Sequence, residues 1–221
     1  MFIYKILWKF IYLVFNLLKC KIEGIENLPK DESFIIVANH QNSIDPLIVA
    51  YALKKFTWKY FLPKKKKVYF IGTTRLKKRI LQYTFISIAI SILQEKIGYL
   101  PADKHGLKRA IELLKEGNII VIFPEGKRNP SQFLAKGKKG VAIMALKSRC
   151  KIISAGCFGY KTWTTRQFIK GLFKNKKVAF APAISLPLAI ADKRGRFEQK
   201  IVQQAIDVIM QALASACNKQ H

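Results

Sequence analysis

The chain has 221 residues, half of them apolar, so it is long enough for one domain with a sizeable core, and wholesale disorder is excluded. Its 40 lysines and arginines stand against 13 acids, a formal charge of +27, which points to an anionic partner: nucleic acid, an anionic membrane or a phosphorylated substrate. Cys20, Cys150, Cys157 and Cys217 are too sparse for a disulfide scaffold and lack metal-ligand spacing; with histidines only at 40, 105 and 221, no structural metal is expected, and reduced thiols in a cytosol-facing protein fit best.

Residues 2–18 are mostly apolar, with Lys5, Lys9, Tyr12, Asn16 and Lys19 on one stripe at about 100° per residue. The pattern predicts an amphipathic helix in a membrane interface, where Trp8, Phe10, Tyr12 and Phe15 suit the headgroup level. A spanning helix needs roughly 17 to 25 predominantly apolar residues, and two lysines interrupt this one. No small-residue cleavage site follows. Residues 1–22 are therefore expected to form a membrane-associating helix and residues 23–221 the folded domain.

The apolar run 34–38 predicts a strand with Asn39 and His40 at its end, and Asp45 followed by Pro46 predicts a helix start, the aspartate as N-cap and the proline in the first turn. Three blocks contain no acid: 54–67, 127–151 and 161–177. The stretch 80–93 is apolar but too short to span and reads as a buried or a membrane-facing helix, with core packing favoured; Lys64 to Lys67 and Arg75 to Arg79 set cations beside it, an arrangement that attracts anionic headgroups. Further strands are predicted at 119–123, 152–158 and 178–181. Helices are predicted at 106–116, with Gly117 as its stop, at 136–149 and at 197–216. The alternation argues for an α/β fold: one domain, a mixed and largely parallel sheet covered by helices.

Two runs carry chemistry. NHQNSIDP (39–46) sets His40 five residues before Asp45, and a tight loop folds the carboxylate onto the imidazole, fixing its tautomer and making it a competent proton acceptor. FPEGKR (123–128) follows a predicted strand and offers Lys127 and Arg128 as anchors for a phosphate. Either run alone also reads as a cap or a turn. Together, at the ends of two strands, they point to a site outside the carboxyl ends of the sheet.

With GIENLP (24–29), GYLPADK (98–104) and IISAGCFG (152–159) in the same order around them, these runs resemble the glycerophospholipid acyltransferase family, typified by the 1-acylglycerol-3-phosphate O-acyltransferases. The resemblance implies transfer of a fatty acyl group from acyl-CoA or acyl carrier protein to the free hydroxyl of 1-acylglycerol 3-phosphate, giving phosphatidic acid, with no further cofactor and no serine or cysteine nucleophile. It makes His40 the general base and Asp45 its orienter. Lys104 and Arg128 would hold the acceptor phosphate, with Lys127 beside them. Glu125 and Gly126 would shape that pocket, Glu125 contacting the glycerol hydroxyl or orienting a cation. Three places depart from the family pattern: Lys104 stands where arginine is usual, Thr73 and Arg75 where lysine and glutamate are common, and Ser154 where proline is usual.

The expected partners are anionic membrane lipids, a lysophospholipid acceptor and the acyl donor, with the protein peripheral or monotopic on the cytoplasmic face. Glycerol 3-phosphate or another lysolipid is the nearest alternative acceptor. A basic nucleic-acid-binding protein and a non-catalytic membrane protein are the distant alternatives. No nucleic-acid motif accompanies the charge, and the intact His40, Asp45, Glu125 and Arg128 argue against a scaffold.

Overall fold

The computed structural model describes residues 20–42, 44–59, 66–72, 98–159 and 176–220. The helices expected over 2–18 and 80–93, Thr73, Arg75 and most of the basic block 161–177 lie outside the described residues. Seven strands form one sheet: β1 (Lys21–Glu23), β2 (Phe34–Ala38), β3 (Val68–Gly72), β4 (Tyr99–Pro101), β5 (Ile119–Ile122), β6 (Lys151–Phe158) and β7 (Lys177–Phe180). Their spatial order is β1-β7-β6-β2-β5-β3-β4. The described helices are α1 (Asp45–Lys59), α2 (Lys104–Lys115), α3 (Lys139–Ser148) and α4 (Gln199–Cys217). Strands β6, β2, β5, β3 and β4 run parallel, β7 is antiparallel to β6, and β1 is parallel to β7. The expected mixed, largely parallel sheet is the one that forms.

Strand β2 lies at the centre, and all five of its residues are buried. Phe34, Ile36 and Ala38 belong to the core layer under α1, while Ile35 and Val37 belong to the layer under α2, α3 and α4. A strand covered on both faces needs a continuous apolar run, which FIIVA supplies. On the second layer, α4 buries Val202, Ala205, Ile206, Ile209, Met210, Leu213, Ala214 and Cys217 at three- and four-residue spacing. It sits so close to β6 that a Cβ on Gly156 would lie 2.1 Å from the Ala216 carbonyl oxygen. Helix α2 starts where Asp103 accepts a bond from the Gly106 N–H (2.8 Å) and stops at Gly117, whose φ of 90° suits a residue without a side chain.

Three strands escape the apolar-run criterion. β1 and β4 are three-residue edge strands, the first flanked by Lys21 and Glu23 and the second ending in Pro101, which edges tolerate. β3 directly follows a cationic stretch, which dominates its surroundings in sequence. Because β1 pairs with β7, Lys21 and Ile22 are sheet residues.

The parallel strands bring their carboxyl ends to one side. Val37 pairs with Ile122 and Ala38 with Ala155, so the segments that follow β2, β5 and β6 meet there.

Candidate active site

Beyond Ala38 the ladder of β2 ends, and side chains take over its pairing with β6. The Asn39 amide donates to the Cys157 carbonyl (3.2 Å) and accepts from the Cys157 N–H (2.6 Å), and Gln41 Nε2 donates to the same carbonyl. Asn42 then turns the chain: its carbonyl accepts from Asp45 N–H (3.2 Å) and its Oδ1 from Ile44 N–H (3.3 Å). The Asp45 carboxylate reaches back over this loop, where Oδ2 accepts from the N–H groups of Gln41 (2.7 Å) and Asn42 (2.6 Å) and lies 3.2 Å from His40 Nδ1. Its helix opens one residue earlier, with the Ile44 carbonyl accepting from Ile48 N–H (3.0 Å). Asp45 is thus not the cap expected from sequence; its oxygen is committed to the loop before it.

His40 has its ring against Phe123, with ring centroids 4.7 Å apart and planes tilted by 39°. With Nδ1 turned to Asp45, a proton on Nδ1 leaves Nε2 as the nitrogen able to take a proton. The His40 side chain is 19% exposed and that of Asp45 4%, so a substrate can reach the base but water has little access to its orienter.

The other half of the site follows β5. Phe123 to Gly126 is a tight turn, closed by Gly126 N–H donating to the Phe123 carbonyl (3.0 Å); Gly126 has φ 68°, and a Cβ there would meet Lys138 Cε at 3.2 Å. Glu125 points inward and is 2% exposed. Its Oε1 accepts from the His40 N–H (3.3 Å), and its Oε2 accepts from Asn129 Nδ2 (2.6 Å) and the Ala135 N–H (2.9 Å). Both Glu125 oxygens are engaged inside the protein, and the residue braces the His40 backbone. Lys127 and Arg128 follow on the exposed surface of the same loop.

His40, Asp45, Glu125 and Gly126 are therefore brought together, with Lys127 and Arg128 at their edge. Lys104 is not. It is exposed at the start of α2, beyond β4. Three interstrand spacings, about 14 Å, separate β4 from β2.

Cys157 lies beside the dyad but is 1% exposed. Burial pushes its thiol well above the usual range, and the negative charge of Asp45 pushes it further, so the thiolate needed for nucleophilic attack is suppressed. Among the described residues, no group of three His, Cys, Asp or Glu side chains is placed to hold a metal ion. Ser154 is 1% exposed, and its hydroxyl has no hydrogen-bond partner among the described residues. Sequence reasoning passed over Asn39, Gln41, Asn42 and Asn129 as site residues. Their only advance signal is a density of amides at the end of an apolar strand and just after FPEGKR.

The sequence pattern that defines the family described as Acyltransferase matches residues 19–157, well over half of the chain. The chain belongs to the acyltransferase family. Within that family it is 28% identical over 165 residues to the 1-acyl-sn-glycerol-3-phosphate acyltransferase of Borreliella burgdorferi, covering 72% of this chain and 57% of that protein. It is 27% identical over 177 residues to the Bacillus subtilis acyltransferase of the same name, covering 78% and 75%. Identity to a chloroplastic 1-acyl-sn-glycerol-3-phosphate acyltransferase of Arabidopsis thaliana is 31% over 154 residues, and the match spans 38% of that protein. The chain thus spans little more than half of the Borreliella acyltransferase and less than half of the Arabidopsis one. In fold it is similar to the crystal structure of the 1-acyl-sn-glycerophosphate acyltransferase of Thermotoga maritima, with a TM-score of 0.56 at 22% identity, covering 94% of this chain and 78% of that one.

Proposed function

We propose that this acyltransferase-family chain moves a fatty acyl group from acyl-CoA or acyl carrier protein to the free hydroxyl of 1-acylglycerol 3-phosphate, yielding phosphatidic acid. The observation that carries the reading is the His40–Asp45 pair, 3.2 Å apart, with cationic Lys127 and Arg128 on the adjoining loop. The names of the relatives supply the substrate class.

An alcohol is a weak nucleophile, and removing its proton as it attacks is worth roughly 10²- to 10⁴-fold in rate. In this reading His40 Nε2 takes the hydroxyl proton while the oxygen attacks the thioester carbonyl. Asp45 stabilises the imidazolium that forms. The tetrahedral intermediate collapses with cleavage of the C–S bond, and the proton passes from His40 to the departing thiolate, which leaves as the free thiol. Arg128 and Lys127 bind the acceptor phosphate, Arg128 through a fork that matches its oxygens. Lys104, exposed beyond β4 at the sheet edge, is assigned a secondary role in holding the acceptor. No cofactor beyond the thioester co-substrate is assigned.

The formal charge of +27 and the apolar, lysine-punctuated residues 1–22 support attachment to an anionic membrane on its cytoplasmic face. No described helix is long and apolar enough to cross a membrane.

The test is transfer of a labelled acyl group, from each donor, to lysophosphatidic acid in vesicles by the wild-type protein and by His40→Ala. Labelled phosphatidic acid from the wild type alone is the expected result. Equal transfer by His40→Ala would remove the base from the mechanism, and transfer only to a phosphate-free acceptor would overturn the substrate class.

A further inference from the structure

We infer that Asn129, together with Lys219 and Gln220 in the segment after α4, forms a clamp that positions the His40 backbone. The inference rests on the reading of His40 as the base. A histidine one residue past Asn39 has left the sheet, so its N–H and C=O have no ladder partners, yet the ring can be aimed only if that peptide is held. The loop after β5 holds both groups. Glu125 Oε1 accepts from His40 N–H (3.3 Å), and Asn129 N–H donates to the His40 carbonyl (2.6 Å). The Asn129 amide nitrogen closes the ring by donating to Glu125 Oε2 (2.6 Å). His40 is therefore gripped on both sides of its α-carbon by two residues that also grip each other.

Asn129 is itself fixed from three directions. Its Nδ2 also donates to the Phe133 carbonyl (2.7 Å), its Oδ1 accepts from Ser131 N–H (3.3 Å), and its carbonyl accepts from Lys219 Nζ (3.1 Å). Gln220 pairs with the same loop: its carbonyl accepts from Leu134 N–H (2.9 Å) and its N–H donates to the Gln132 carbonyl (3.2 Å). The segment after α4 thus anchors the loop that anchors the base, far from it in sequence. Without the Asn129 amide, the buried Glu125 carboxylate loses one of its three donors and turns to recover it, dragging the His40 N–H with it. A misplacement of about 1 Å can cost on the order of 10²-fold in rate.

The experiment compares Asn129→Ala, Lys219→Met and the double variant with the wild type, in the full chain on vesicles, with His40→Ala as the control. Expected for Asn129→Ala is a kcat lower by about 10- to 100-fold, with KM for acceptor and donor held within about threefold. The downfield imidazole N–H proton resonance of the His40–Asp45 bond should broaden or disappear while the melting transition stays cooperative. Lys219→Met should lower kcat by several-fold, and the double variant should be no worse than Asn129→Ala, because both act on one element. Wild-type kcat in Asn129→Ala, or additive losses in the double variant, would overturn the clamp. If Asn129→Ala does not fold, Lys219→Met decides: unchanged kcat overturns the proposal, and reduced kcat at constant KM upholds it. A fully active His40→Ala would instead refute the assignment of the base.

Discussion

The two arms of the site are held by different physics. Around His40, both carboxylates that set the geometry are buried and engaged: Asp45 accepts from two backbone amides and faces Nδ1, and Glu125 accepts three bonds. The cationic arm, Lys127, Arg128 and the more distant Lys104, lies on the surface. A buried web fixes direction at the cost of tolerance, since removing one partner leaves another unsatisfied in low dielectric. Exposed cations act at longer range through charge, tolerate small displacements, and weaken as salt rises. In the proposed reaction, the chemistry that needs a ring aimed to within an ångström falls to the first arm, and capture of the acceptor's phosphate to the second.

The largest test of this contrast is Asp45→Asn. The amide keeps an oxygen for the Gln41 and Asn42 N–H groups but no longer stabilises an imidazolium, so kcat should fall by about 10²- to 10⁴-fold with little change in KM or in binding to vesicles. Full unfolding would make Asp45 a structural residue first. Next comes Arg128→Ala, which should raise KM for the phosphorylated acceptor by about 10- to 100-fold, the worth of a charge-assisted hydrogen bond or two. It should leave a phosphate-free acceptor unaffected, and added salt should reproduce part of the loss in the wild type but not in the variant. An equal loss on both acceptors would move Arg128 into the buried arm. The smallest effect belongs to Ser154→Ala. Removing a buried, unpartnered hydroxyl should leave turnover intact and raise stability by about 1 kcal/mol, about 2–4 °C in melting temperature for a chain of this size. A drop in stability would mean that Ser154 has a partner.

The central elements were legible because their burial is written in their residues. β2 and β5 are continuous apolar runs, and α2 carries apolar positions at helical spacing and a glycine stop, while its Asp103 cap emerged only in the structure. β1 and β4 were not, since three-residue edge strands are specified by the neighbour that pairs with them more than by their own composition, and the interior strand β3 was masked by the cationic stretch before it. The same divide runs through the site. Asp45 meeting His40 is a local event across a five-residue loop, and the motif announces it. Asn129 meeting His40, or Asn39 meeting Cys157 across 118 residues, depends on which strands lie side by side.

From its sequence alone, this chain determined an α/β domain with a central buried strand, a His–Asp pair at the end of that strand and a basic loop at the end of another, because periodicity, caps and short-range loops are properties of consecutive residues. Only the tertiary structure decided what the carboxylates do. It committed Asp45 to the loop before its helix, set Glu125 as a brace on the His40 backbone, and placed Lys104 at the far edge of the sheet. The physical reason is that a buried polar atom takes whichever donors the strand order brings within 3 Å, and strand order is a property of the whole chain.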